Sequence, residues 1–196
     1  MDIVAVTDRK QSVRPFLEQI ERIAAGRPDM IVLREKDLSK GDYRRLAVSV
    51  MEICSRHGVE FCINTHADIA TELGAGTVWI PYPEFIGSGR PRIGKVGVSV
   101  HSVEEALNAV SKGADFLVYG NVFTTSCKPG KPAAGFSVLD TIAERTDVPV
   151  YAIGGIDKDN ATLMKGHGQK GICMMSGFMT SDDPAVLIEE LRISTS

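Results

Sequence analysis

Residues 114–135 read ADFLVYGNVFTTSCKPGKPAAG, an apolar run followed by a long polar loop. The run, at residues 116–119, has the length and composition of a strand that is buried on both faces. The loop carries hydroxyl groups beside Lys128 and is rich in Gly and Pro. Hydroxyl and ammonium groups donate hydrogen bonds to anions, so Thr125 and Lys128 are candidate phosphate-binding residues, and Cys127, which lies between them with a weak S–H donor, is a third. A solvated surface loop with a chance lysine is the alternative.

The same succession of an apolar run, a polar end and a helical stretch recurs along the chain. The apolar runs lie at residues 3–6, 30–33, 60–63, 77–80, 96–99, 116–119, 150–153 and 171–175. The helical stretches are predicted at residues 11–25, 39–57, 67–73, 102–112, 138–145, 157–165 and 184–192. Residues 85–95, which are rich in Gly and Pro, show no clear helix.

This alternation decides the predicted fold. Strands that alternate strictly with helices form parallel sheets with crossover helices. Eight such units predict a small (β/α)8 TIM barrel, an α/β fold that forms a single domain over residues 1–196. An open doubly wound sheet is the alternative, although the first strand lacks the G-x-G-x-x-G fingerprint of dinucleotide-binding sheets.

Composition excludes several functional classes. The chain has 196 residues, 43% of them hydrophobic, and a formal net charge of -3. That supply of apolar residues can build a substantial core, and no basic excess indicates nucleic acid as a partner. The sequence shows neither a run of about 18 apolar residues nor a signal peptide. We therefore expect a cytoplasmic protein that binds neither nucleic acid nor membrane, and a homo-oligomer is compatible with this sequence.

The cysteines predict reduced thiols. None of Cys54, Cys62, Cys127 and Cys173 forms a C-x-x-C pair. A zinc site and a disulfide framework are therefore not expected in a chain of this length. Cys127 differs from the others because it lies in the polar loop, where an inert small side chain is favoured over a reactive thiolate.

The residues that follow the strands are expected to meet at one mouth, because the active sites of (β/α)8 barrels lie at the C-terminal strand ends. These residues are Thr7 and Asp8, Arg34 and Lys36, Asn64 and His66, Tyr82 and Glu84, Ser99 and His101, Asn121, Gly154 and Gly155, and Ser176 and Gly177.

The last two strand ends predict a phosphate site. Loops after strands seven and eight commonly bind phosphate in such barrels. Gly154 and Gly155 allow backbone N–H groups to approach an anion, and Ser176 with Gly177 follows strand eight at a predicted helix entrance. A tight turn at the paired glycines is the alternative interpretation.

Two further groups of polar residues are candidates at the mouth. Arg34 and Lys36 are two residues apart, so both side chains can point to the same side of a strand end and bind phosphate. A solvated charged run is the alternative. His66 and His101 can titrate near neutral pH, and a purely structural hydrogen bond is the alternative for each.

Together these residues resemble the family of thiamine-phosphate synthases and thiazole tautomerases. The matching pieces are LREK at 33–36, IN at 63–64, SVHS at 99–102, YGNVFTTSCKPG at 119–130, YAIGGI at 151–156 and MMSG at 174–177. The resemblance implies a (β/α)8 barrel that acts on a thiazole phosphate in thiamine biosynthesis. Asn64 and Ser99, which end two of the strands and lie within matching pieces, are further substrate-binding candidates.

The synthase branch of this family joins a pyrimidine diphosphate to the thiazole phosphate and uses Mg²⁺ held by aspartates. The resemblance places one metal aspartate directly after Asn64, where this chain has Thr65. The second falls in the run at 81–84, where Glu84 can replace one ligand. A single carboxylate makes a weak magnesium site. We therefore expect no cofactor, with Mg²⁺ required only if the chain is a synthase.

The tautomerase branch needs no metal, because it shifts a proton on a carboxylated thiazole phosphate. Cys127 and Lys128 are closer to its loop than to the synthase loop. Characteristic tautomerases carry a histidine where this chain has Asn121. Asn121 is a catalytic candidate because its amide can hydrogen-bond the ring or the carboxylate, although it does not exchange protons at neutral pH. We expect His101, His66 or a bound water to carry the proton. A metal-independent tautomerase is the expected function, with a synthase or a non-catalytic thiazole-phosphate-binding or regulatory protein as alternatives.

Overall fold

The computed structural model describes residues 1–124 and 133–196, in which strands alternate with helices. The strands are β1 (Asp2–Val6), β2 (Met30–Leu33), β3 (Glu60–Asn64), β4 (Thr77–Pro81), β5 (Lys95–Val100), β6 (Phe116–Gly120), β7 (Val150–Ile153) and β8 (Gly171–Met174). The helices are α1 (Phe16–Ala25), α2 (Lys40–His57), α3 (Ala67–Leu73), α4 (Tyr82–Ser88), α5 (Val103–Ser111), α6 (Ser137–Arg145), α7 (Ser176–Thr180) and α8 (Pro184–Thr195).

The strands form a closed ring in chain order. Each strand pairs in parallel with its neighbours, and the ring closes between β1 and β8, where Asp2 lies opposite Gly171 and Ala5 opposite Met174. The predicted (β/α)8 barrel is therefore confirmed, and the open doubly wound sheet is wrong. Closure also brings the C-terminal ends of all the strands to one rim.

Side chains of each strand alternate between two apolar layers. One row, which includes Val4, Val32 and Trp79, packs inside the ring. The other row, which includes Ile31 and Leu33, packs against the helices. Burial on both faces explains why the strands appear in the sequence as continuous apolar runs.

Helix α2 shows how local signals set the element boundaries. The Ser39 hydroxyl accepts a hydrogen bond from the backbone N–H of Asp42, and Gly58 ends the helix in the left-handed conformation. Helix α5 begins with the predicted capping box, in which Ser102 accepts from the Glu105 backbone and the Glu105 carboxylate accepts from the His101 N–H at 2.7 Å. Satisfied N–H groups at a helix start stabilise the helix.

Three helical stretches differ from their predictions. The first helix begins at Phe16 instead of residue 11, because Pro15 precedes it and a short 3-10 turn occupies Arg9–Gln11. Residues 157–165 hold only a 3-10 turn at Ala161–Met164, because the Asp157 carboxylate accepts from two following backbone N–H groups. Helix α4 forms despite its glycine and proline because it buries Phe85.

The short helix α7 begins at Ser176, where the sequence predicts a helix entrance, but its extent was not predicted. Within the described residues, no helix is long and apolar enough to cross a membrane.

Candidate functional site

Arg34 directly follows β2, and its side chain reaches past β1 towards the end of β8. Its Nη1 atom lies 3.8 Å from the Met175 sulfur, directly before α7. The guanidinium is half-buried, and in residues 1–124 and 133–196 no carboxylate pairs with it. The positive charge of Arg34, together with partial burial, lowers the pKa of Lys36, as expected for two cations that lie close to each other. Neighbouring uncompensated cations are suited to an anion.

The paired glycines after β7 pack directly against the segment after β6. Both have positive φ angles, 104° at Gly154 and 69° at Gly155. A Cβ on Gly154 would lie 2.5 Å from the Asn121 Cβ, and one on Gly155 would lie 2.3 Å from the Thr124 carbonyl oxygen. The two glycines are therefore needed for the close approach of these two segments, and phosphate binding at them stays a prediction.

The residues after β8 complete this side of the mouth. Ser176 and Gly177 form the first turn of α7 and are half-buried. N–H groups in the first turn of a helix lack acceptors within the helix. A Cβ on Gly177 would lie 2.2 Å from the Met174 sulfur, so a larger residue there would require the flexible Met174 side chain to move. Thr125, Cys127 and Lys128, the candidates from the polar loop, lie outside the described residues.

His101 has a defined tautomer. Its Nδ1 atom lies 2.5 Å from the Gly120 carbonyl oxygen, which can only accept a hydrogen bond. The ring therefore donates from Nδ1, and in the neutral form Nε2 keeps its lone pair. The residue is exposed and its backbone N–H is held by the Glu105 carboxylate. This geometry leaves Nε2 available as a proton acceptor close to the Gly120–Asn121 segment.

His66 is held differently. It is half-buried at the start of α3, and its ring lies edge-on to Tyr43 with centroids 4.4 Å apart. Tyr43 in turn donates to the Leu33 carbonyl at 2.6 Å.

Asn121 is buried, and its side-chain amide donates to the Phe123 carbonyl at 3.1 Å. Of the three predicted catalytic residues His101, His66 and Asn121, His101 is the one for which the structure defines the nitrogen that can accept a proton.

Asn64 and Ser99 are oriented by the same tryptophan. The Asn64 amide donates to the Trp79 carbonyl at 2.9 Å, and the Trp79 indole N–H donates to the Ser99 hydroxyl at 2.7 Å. Because Ser99 accepts this bond, its own proton remains available for a ligand. The sequence gives no signal for this arrangement, which depends on Trp79 pointing inside the ring.

The described residues offer little for a magnesium ion. Thr65, His66, Asp68 and Glu84 line one cleft of about 310 Å³ at the ends of β3 and β4. Asp68 pairs with Lys40 at 2.8 Å, whereas Glu84 is exposed and forms no ion pair in the described part of the chain. No cluster of three or more metal-binding side chains occurs among the residues that the structure describes. One carboxylate, beside the Thr65 hydroxyl, is therefore left to hold a metal.

The sequence did not single out Glu35 as a site residue. Glu35 is only 3% exposed, and its carboxylate accepts from the Thr7 hydroxyl at 2.7 Å and from the Arg9 guanidinium at 3.1 Å. A buried carboxylate surrounded by donors fixes the chain around it. Glu35 could have been identified from its position, because it is a charged residue that continues the alternation of side chains along a buried strand.

Cys54, Cys62 and Cys173 are buried free thiols, as the sequence predicts. Burial raises the pKa of the Cys54 thiol to about 12. Because the thiolate is the reactive form, this cysteine is inert at neutral pH.

Comparison with known proteins gives a consistent family. The family model described as thiamine monophosphate synthase matches residues 3–178. A thiamine-phosphate synthase from Clostridium beijerinckii is 34% identical, covering 97% of this chain and 93% of its own. A putative thiamine-phosphate synthase 2 from Aquifex aeolicus is also 34% identical, covering 90% of this chain and 97% of its own.

One solved structure supports the same family. A thiamine phosphate pyrophosphorylase from Pyrococcus furiosus superposes with a TM-score of 0.83 at 29% identity, over 98% of this chain and 94% of its own. None of these three relatives bears the name of a thiazole tautomerase, so the branch expected from the sequence stays a prediction. The matches span every strand end of the barrel, and the chain belongs to the thiamine monophosphate synthase family.

Proposed function

We propose that this barrel is a thiamine-phosphate synthase, a transferase that joins a thiazole phosphate to a pyrimidine diphosphate with loss of pyrophosphate. The observation that carries the proposal is the likeness to curated synthases over 97% of the chain. The site suits the substrates, because Arg34 and Lys36 present two positive charges without an acidic partner in the described residues. Both substrates carry phosphate groups that such a pair binds.

The described residues contribute binding and orientation to this reaction. Arg34 and Lys36 hold phosphate oxygens, and the Ser99 hydroxyl, fixed by Trp79, donates a hydrogen bond into the mouth. Mg²⁺ would be held by the Glu84 carboxylate beside the Thr65 hydroxyl, and it would supply charge neutralisation for the departing pyrophosphate. This is a minimal fit, because Mg²⁺ is usually bound through one or two carboxylates together with substrate phosphates.

Tautomerisation of a carboxythiazole phosphate is the second candidate. Two observations favour it. Thr65 stands where the family resemblance expects a metal aspartate, and the His101 Nε2 atom is available near the Gly120–Asn121 segment. This reaction needs a group that accepts and returns one proton, and needs no metal.

One set of assays separates the candidates. The purified chain is given both synthase substrates with Mg²⁺, and in parallel a carboxythiazole phosphate in D2O. A synthase forms thiamine phosphate and loses activity to EDTA, whereas a tautomerase exchanges deuterium into the thiazole with or without EDTA. If the chain binds without turnover, thiazole phosphate raises its melting temperature, but neither thiamine phosphate formation nor deuterium exchange is observed.

If the chain is a synthase, changing Glu84 to Gln should lower its activity about 10- to 100-fold, because loss of a charged group at a metal site has effects of this size. The measurement is kcat/KM as a function of Mg²⁺ concentration, which should shift to higher Mg²⁺ in the variant. Glu189→Gln, an exposed change on α8, is the matched control. An unchanged Mg²⁺ dependence in Glu84→Gln would exclude this carboxylate as the ligand.

If the chain is a tautomerase, changing His101 to Gln should lower kcat by about 10²- to 10⁴-fold, the contribution that general acid–base catalysis usually makes. The His57→Gln variant, which alters a histidine paired with Glu21 between α1 and α2, should keep full activity. Deuterium exchange in the thiazole measures both variants. Normal exchange in His101→Gln would remove His101 from the mechanism and leave His66 or water as the proton carrier.

A further inference from the structure

We propose that Arg9 and Thr7 are positioning residues, which keep Arg34 and Lys36 available for phosphate by holding Glu35 and Asp37 away from them. The inference rests on the proposed phosphate binding and adds to it a reason why the two cations stay unpaired. It concerns the segment directly after β1, which has no direct role in the proposed reaction.

The charges after β2 alternate in sign, and the segment after β1 engages only the negative ones. Residues 34–37 read REKD. The Arg9 guanidinium bridges both acids, with Nη1 3.1 Å from Glu35 and Nη2 2.8 Å from Asp37. Lys10 adds a second bond to Asp37 at 2.9 Å. The hydrogen bond from Arg9 holds the pKa of the Asp37 carboxyl well below its usual range, so this acid stays ionised and paired.

Thr7 connects this acid network to the backbone of Arg34. Its hydroxyl donates to the Glu35 carboxylate at 2.7 Å and accepts from the Arg34 N–H at 3.0 Å. The backbone N–H of Arg9 donates to both oxygens of the same carboxylate at 3.0 and 3.2 Å. Glu35 and Thr7 are 3% and 1% exposed, so the bond between their side chains is shielded from water and the other bonds are partly shielded. The network therefore fixes both the position of Arg34 and the direction in which Glu35 points.

Glu35 and Asp37, the acids on either side of Lys36, would otherwise compete with phosphate for the two cations Arg34 and Lys36. An ionised carboxylate that loses its partners in a buried position must find another cation or become protonated. Arg34 and Lys36 are its direct neighbours along the chain, and neither has another acid in the described part of the chain. Without the Arg9 guanidinium, Glu35 keeps only the Thr7 hydroxyl and the backbone N–H of residue 9, and Asp37 keeps only Lys10. Both acids can then turn towards Arg34 or Lys36 and reduce the affinity of the mouth for anions.

The test uses inorganic pyrophosphate as the probe, measured by isothermal titration calorimetry, together with steady-state kinetics. Arg9→Gln should raise the Kd for pyrophosphate and the KM roughly tenfold with kcat nearly unchanged, a size typical of coupling within one charge network. Adding Glu35→Gln in the same chain removes the competing charge and should restore most of the affinity. Arg44→Gln, which breaks the exposed Arg44–Glu72 pair, is the matched control and should change nothing.

A merely structural role gives a different pattern. In that case Arg9→Gln lowers the melting temperature, the second change lowers it further, and the affinity for pyrophosphate is not restored; this result would overturn the inference. If Arg9→Gln does not fold, Thr7→Val must weaken binding and Thr7→Ser must restore it, and equal binding by both would likewise reject the role. If the unaltered chain itself fails to bind pyrophosphate and both substrates, the proposed function fails first.

Discussion

Replacing Arg34 by Gln is expected to lower kcat/KM for the phosphate substrates about 100-fold, because charge-assisted hydrogen bonds contribute up to about 3 kcal/mol. The fold should not weaken, since the guanidinium pairs with no acid in the described residues and stands close to another cation. Removing its charge should also return the pKa of Lys36 towards its ordinary value. Steady-state kinetics measures the loss of kcat/KM, and thermal unfolding of the same preparation measures the stability of the fold.

The matched control for Arg34→Gln is again Arg44→Gln, which removes an equal charge from the exposed surface of α2. It should leave both kinetics and melting temperature nearly unchanged, because exposed salt bridges contribute little to stability. If Arg34→Gln retains full kcat/KM for both substrates, Arg34 is not the phosphate ligand and the anion must bind elsewhere.

Replacing Gly155 by Ala is expected to cost about 3 to 5 kcal/mol of unfolding free energy, the sum of a left-handed backbone penalty and a steric clash. The φ angle is 69°, and the new Cβ would lie 2.3 Å from the Thr124 carbonyl oxygen and 2.8 Å from the Phe123 Cβ. A backbone carbonyl cannot rotate away as the end of a side chain can. Urea unfolding measures the loss, and phosphate affinity should fall as the loop is displaced.

Gly58→Ala separates the two causes. Gly58 ends α2 with φ 68°, almost the same angle, but a Cβ there would meet no atom within 4 Å. The Gly58→Ala variant should lose only about 1 to 2 kcal/mol of unfolding free energy, which is the cost of the left-handed conformation alone. Equal losses at Gly58 and Gly155 would mean that the close packing of the β6 and β7 loops contributes nothing to stability.

The barrel itself could be predicted because its main determinants are local. Strands buried on both faces must be apolar, and α2 is bracketed by a serine cap and a glycine stop at the residues expected, Ser39 and Gly58. Local rules failed where tertiary packing decided the outcome. Burial of Phe85 stabilises α4 in a stretch whose composition argues against a helix.

The candidate site was predictable only in part. Knowing that strand ends share a rim was enough to select Arg34 and His101, and the structure brings Arg34 to the end of β8. The partners of these groups could not be predicted, because they are distant in sequence and depend on side-chain direction. Arg9 lies 26 residues from Glu35, and the Trp79 indole reaches Ser99 only because both point inside the ring.

Because β1 pairs with both β2 and β8, this strand can satisfy only one of its edges until the last strand of the barrel has been synthesised. Joining such distant segments lowers the chain entropy before their contacts form and offset that loss. Until then the nascent chain carries two open strand edges, which are templates for pairing with another molecule. The protein is thus more vulnerable to aggregation during its synthesis than after the ring has closed.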